Sequence, residues 1–140
     1  MNNKPITAGL ILAVAALTAG AQAKSTINKV TSTTVGGGIE IAVQGESLAK
    51  PKTFFVGSDR TTYIVEFNAA LIGNPGKRTV SAAGLDYYRY VRYRSNPPVS
   101  RILLKVTKGT VPTVSEEDGT WYIRVNVNEE APQMPIDNDS

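Results

Sequence analysis

Between Tyr87 and Arg94 the chain reads Tyr-Tyr-Arg-Tyr-Val-Arg-Tyr-Arg, phenol rings and guanidinium groups interrupted only by Val91. An arginine fork can hold a carboxylate through two parallel bonds, and a tyrosine offers a flat apolar ring with a polar tip. Side chains alternate along an extended strand, so Tyr88, Tyr90, Arg92 and Arg94 share one face while Tyr87, Arg89, Val91 and Tyr93 share the other. If the next strand turns Arg101, Leu103 and Lys105 outward beside the first set, the expected site is Tyr88, Tyr90, Arg92, Arg94, Arg101 and Lys105. That strip would be cationic with aromatic edges. A sugar polymer bearing carboxylate-rich peptides, such as peptidoglycan, would complement it, as would an acidic protein surface or a phospholipid head group. The same residue types also cover ordinary strand faces, where long side chains lie along the sheet and bury their stems.

Other chemistry is poorly supplied. The chain has no histidine and no cysteine, which removes the usual zinc ligands, the usual general base and the thiol nucleophile. No cofactor or metal site is expected. A carboxylate pair could still act as acid and base, but Glu116, Glu117 and Asp118 cluster in a turn where water keeps such groups ordinary. Gly36-Gly37-Gly38 is followed by neither a helix nor a lysine at phosphate-loop spacing. The protein is expected not to be an enzyme.

The elements that must position the strip are strands. Ile39, Ile41 and Val43 alternate with Glu40, Ala42 and Gln44, and Tyr63, Val65 and Phe67 alternate with polar or mixed neighbours. Ile102, Leu104 and Val106 repeat the pattern, as do Trp121, Ile123, Val125 and Val127, with Trp121 in phase with the core set. Gly36-Gly37-Gly38, Ser58-Asp59-Arg60 and Asp118-Gly119 supply turn chemistry between these runs, and Asn74-Pro75-Gly76 and Asn96-Pro97-Pro98 mark longer loops. The fold expected is all-β, a small sandwich of two similar, mostly antiparallel sheets. An internal echo supports it: Asp59-Arg-Thr-Thr-Tyr63-Ile64 is matched by Asp118-Gly-Thr-Trp-Tyr122-Ile123, with Pro51 and Pro112 ahead of each. Two such units would each build one sheet.

Residues 1–23 have the order of a secretory signal peptide, with Lys4 in a polar start, an apolar run from Ala8 to Ala19, and Ala21-Gln22-Ala23 before Lys24. The run is shorter than the roughly 20 apolar residues a membrane span needs. Cleavage after Ala23 would leave a sandwich domain over 24–128 and an acidic tail over 129–140, with Pro132 and Pro135, that is expected to be disordered. The expected address is the bacterial periplasm, with no membrane segment after cleavage. Fifteen basic against twelve acidic side chains is too even a balance to suggest a nucleic-acid partner. The distribution is uneven, however: bases crowd between Lys77 and Lys108 and acids follow Gly109, which favours one oriented charged face.

Val91-Arg92-Tyr93-Arg94, followed by Val99-Ser100-Arg101-Ile102-Leu103-Leu104-Lys105-Val106, resembles the central signature of the AMIN domain. Pro51 with Tyr63-Ile64-Val65-Glu66-Phe67 is similar to that family's proline and following strand, with Glu66 where an aspartate is usual. Gly119-Thr120-Trp121-Tyr122-Ile123-Arg124-Val125 is similar to its last strand. The resemblance runs from about Ile27 to Val127. It implies an exported sandwich of two similar sheets, of the kind that serves as a non-catalytic targeting module within cell-wall amidases and pilus or secretion secretins and binds peptidoglycan. Here it would stand alone, since neither an amidase nor a secretin domain accompanies it. It leaves room for a second role, as an adaptor to a secretin, an amidase or another envelope protein through strand addition.

Overall fold

The computed structural model describes residues 24–128; the expected signal peptide and acidic tail lie outside them. Ten strands follow one another without a helix among the described residues: β1 (Thr26–Val35), β2 (Gly38–Glu46), β3 (Lys52–Val56), β4 (Thr62–Phe67), β5 (Ala70–Leu71), β6 (Gly76–Ala82), β7 (Leu85–Ser95), β8 (Pro98–Val106), β9 (Thr113–Glu117) and β10 (Thr120–Val125). They form two five-stranded sheets, β5-β1-β2-β10-β9 and β3-β4-β8-β7-β6. Every pairing is antiparallel except that of β1 with the short β5.

The alternating runs become the two inner faces. Ile39, Ile41 and Val43 of β2, Tyr63, Val65 and Phe67 of β4, Ile102, Leu104 and Val106 of β8, and Ile123 and Val125 of β10 all join one core. Each such side chain removed from water contributes about 1.5–3 kcal/mol toward the ordering of the chain. Trp121 is half-buried at the core margin, edge-on to Phe67 with ring centres 6.5 Å apart, and its indole N–H points at the Leu48 carbonyl at 3.4 Å. Asn96-Pro97-Pro98 is tighter than expected: Ser95 pairs with Pro98, so β7 and β8 are joined by only Asn96 and Pro97.

The internal repeat is real but is assembled differently from the expectation. β1 to β4 and β7 to β10 are the two units, and each contributes one hairpin to each sheet: β1-β2 joins β10-β9, and β8-β7 joins β4-β3. Each unit alone would leave two unpartnered hairpins, and exchanging the second hairpin across the sandwich gives both a neighbour. The correspondence also shifts by one residue. Thr62–Phe67 matches Thr120–Val125, which sets Tyr63 against Trp121, Val65 against Ile123 and Phe67 against Val125 on the inner faces.

Candidate ligand-binding face

The outer side of β3-β4-β8-β7-β6 carries the unusual chemistry. Cross-strand register sets Phe54, Ile64, Leu103 and Arg89 side by side in one row, with Lys77 at its end. The adjoining row runs Val56, Thr62, Lys105, Tyr87 and Thr79, and the row on the other side runs Lys52, Glu66, Arg101 and Val91. Ile64 is only 3% exposed although it lies outside the core cluster. Phe54 and Leu103 are its cross-strand neighbours and Arg101 and Lys105 stand in the adjoining rows, so the face has an apolar centre with a cationic rim.

Arg101 is held from three sides. Its Nε donates to Glu66 Oε1 at 2.9 Å, its guanidinium carbon sits 3.5 Å from the Tyr93 ring centre, and the Phe54 ring centre is 5.5 Å away. Lys77 Nζ lies 4.4 Å over the Tyr87 ring. Lys105 Nζ donates to Thr61 Oγ1 at 3.0 Å, and that hydroxyl donates to Asp59 Oδ2 at 2.9 Å. The Thr61 hydroxyl holds the Asp59 carboxyl below its ordinary value, against an opposing cost of desolvation and with lesser help from the Thr61 amide and the charge of Lys105. Among the described residues, Arg89 is exposed with neither a carboxylate nor a hydrogen-bond partner. A cation left free beside an aromatic ring and an apolar row can engage an anionic group on a partly apolar ligand.

The six residues expected to form the site divide. Arg101 and Lys105 do stand on the outer face. Tyr88 does not: it is 1% exposed in the core, opposite Leu104, and its hydroxyl donates to Ser32 Oγ of the other sheet at 2.9 Å. Tyr90 also turns inward, half-buried against the core, and its ring lies over Gly76, where even a Cβ atom would come within 2.4 Å of it. Arg92 turns with buried Ser100 toward the end of the sandwich, where it and Arg94 line a hollow of about 240 Å³ with Leu71, Pro98 and Ser100; Arg94, beyond a register shift, also has its guanidinium carbon 5.4 Å from the Tyr93 ring centre. There the Arg92 guanidinium donates to the Gly73 carbonyl. Tyr88, Tyr90, Arg92 and Arg94 therefore do not form one exposed ladder on the outer face.

Tyr87, Arg89 and Tyr93, the opposite face of the same strand, take its place beside Arg101 and Lys105. Phe54 and Lys77, which residue types alone did not mark, complete the patch. The signal that could have found them is the phase of β8: once Ile102, Leu104 and Val106 are inside, whatever pairs with Arg101, Leu103 and Lys105 must be outside.

The carboxylates do not converge on a cleft. Glu66 is bound to Arg101 on this face, and Glu40 to Arg124 Nε at 2.8 Å on the outer face of the other sheet. Asp59 belongs to the β3–β4 turn. Among the described residues no three metal-ligating side chains gather. The chain matches no family model, no curated protein and no solved structure.

Proposed function

We propose that the protein is a non-catalytic module of the bacterial cell envelope that binds peptidoglycan on the outer face of β3-β4-β8-β7-β6. The observation that carries this reading is the row of Phe54, Ile64, Leu103 and Arg89, with Tyr87, Tyr93, Lys77, Arg101 and Lys105 around it. Sugar rings present apolar faces that stack on tyrosine and phenylalanine, and wall peptides end in carboxylates that arginine and lysine pair with. The signal-like start of the chain and the resemblance to the AMIN domain support a periplasmic address and a wall polymer over the other anionic ligands.

Co-sedimentation with purified wall sacculi tests the proposal. The protein should pellet at low salt and be released as salt rises, because the exposed cations of the rim are screened. Lys77→Ala with Arg89→Ala should weaken pelleting by at least about tenfold, the loss of one charge-assisted bond or more. A protein that stays in the supernatant at low salt, or a double variant that pellets like the parent, refutes the proposal.

A further inference from the structure

The flank formed by β3 and β9 is built to receive a second copy of itself. Tyr88 of β7 reaches Ser32 of β1, and Phe67 of β4 meets Trp121 of β10, so β7 lies across from β1 and β4 across from β10. The next strand out in each sheet, β3 in one and β9 in the other, therefore borders the same flank. These two run in opposite directions. β1 ends where β7 begins, since Asn128 bonds Gly36 and Asn126 bonds Ala83 at that end of the sandwich. Each sheet then alternates strand by strand out to β9 or β3.

Among the described residues both edges are open and regular. Neither β3 with β4 nor β9 with β10 shows a register shift, whereas on the opposite flank β6 is bulged between Thr79 and Ala82 with Ser81 at φ 52°, and β5 has only two residues. A straight edge with unpaired amides and carbonyls is a template for another strand unless something discourages it. Here charge decides which strand. The β3 edge is basic, with Lys50 and Lys52 leading in and Arg60 in its turn, and the β9 edge is acidic, with Glu116, Glu117 and Asp118. Like charges oppose β3 on β3 and β9 on β9, while β3 on β9 is attractive.

We infer that two copies associate about a two-fold axis parallel to the strands along this flank, with β3 of each pairing antiparallel to β9 of the other. Such an axis exchanges the layers, so both edges are satisfied at once and the assembly closes as a dimer. Pairing over the full strands places Lys52 opposite Glu117 of the second copy, Phe54 opposite its Ser115 and Val56 opposite its Thr113 on the outer side. It places Phe55 opposite the second copy's Val114 on the inner side, so that the apolar faces run on across the junction. Val56, 45% exposed in the single chain, gains cover, and Glu117, whose side chain is 64% exposed and lies 3.9 Å from the Arg124 guanidinium, gains a second cation.

Sedimentation equilibrium on the chain from residue 24 to 140, which holds all ten strands, tests this. The average mass should rise with concentration to that of two chains and no further. Lys52→Glu or Glu117→Lys alone should raise the dissociation constant at least about tenfold, and the two combined should restore it. Circular dichroism checks that each variant is folded. Because the chain lacks cysteine, mixing Lys52→Cys with Glu117→Cys protein under mild oxidation should yield a covalent dimer that neither variant forms alone. A monomer at every concentration, a mass beyond two chains, a dimer indifferent to both charge reversals, or cross-linking by one cysteine variant alone would each overturn the inference.

Discussion

The two outer faces of this sandwich occupy equivalent places in a repeated architecture, and each has a close cross-strand ion pair at its centre, to which one of them adds a longer contact of Arg124 with Glu117 at 3.9 Å. On β1-β2-β10-β9 the pair is Glu40 with Arg124; on β7-β8-β4-β3 it is Arg101 with Glu66, the same positions with the signs exchanged. What surrounds the pair differs. On the first face the neighbours are Thr31, Thr33, Ala42, Thr113 and Ser115, with Tyr122 as the aromatic, its ring centre 5.2 Å from the Arg124 guanidinium. On the second they are Phe54, Ile64, Leu103, Tyr87, Arg89 and Lys105. The repeated inner positions stay apolar in both halves, because both sheets need the same core; the outer positions are free of that demand and have diverged. A face that keeps an apolar row and free cations against the cost of exposing them is the better place to look for a ligand.

The sharpest way to break this comparison is through Tyr88, which the alternation of residue types placed on the ligand face and the fold places in the core. Tyr88→Ala should cost about 3–5 kcal/mol of stability, the range for emptying a buried aromatic site, read by urea denaturation. Tyr88→Phe should cost only about 1 kcal/mol, for the lost bond to Ser32. If Tyr88→Ala left stability intact and abolished wall binding, the inner and outer faces of β7 would have to be exchanged.

Next in size is the contrast between the two ion pairs. Arg101→Ala leaves Glu66 partly buried without its partner and also strips Tyr93 and Phe54 of the cation between them. A loss of about 2 kcal/mol is expected by denaturation. Arg124→Ala should cost a similar amount through Glu40, yet only Arg101→Ala should reduce pelleting with sacculi. Equal loss of pelleting in the two variants would mean that the faces do not differ in function.

The face of β7 was mistaken for a physical reason that the residues explain. The tight turn pairs Ser95 with Pro98, and counting back from it without interruption would set Tyr88 opposite Lys105, on the outside. A register shift between Arg92 and Arg94 moves Tyr88 opposite Leu104 instead. One bulged residue turns every preceding side chain over. Little in Tyr-Tyr-Arg-Tyr-Val-Arg-Tyr-Arg betrays this, since each face of the run carries two tyrosines and at least one arginine, and only Val91 breaks the likeness. The strands with a clean contrast between faces, β2, β4, β8 and β10, were legible from spacing alone. The exchange of hairpins between the two units was not, because it depends on pairings between residues far apart in the chain, such as Ile41 with Ile123.

The smallest effect separates two aspartates that the internal echo aligned. Asp118 is the first residue of the two-residue turn between β9 and β10, at φ 51° with Gly119 at φ 85°, and the Gly119 amide is taken by Glu116 Oε2 at 2.9 Å. Asp59 instead folds back on Thr61 in the longer turn between β3 and β4 and anchors the chain of bonds to Lys105. That extra length is why the echo and the true repeat differ by one residue. It also gives Asp59 a pH signature. Its folded pKa lies below the unfolded value, chiefly through the Thr61 hydroxyl, so the stability it contributes is present above the unfolded carboxyl range, near about 4, and fades as pH falls through the lowered folded value. Denaturation midpoints of the parent and of Asp59→Asn should run parallel from pH 7 to 5 and converge below about 4. A constant gap down to the most acidic point would mean that the turn is held by the shape of Asp59 and not by its charge.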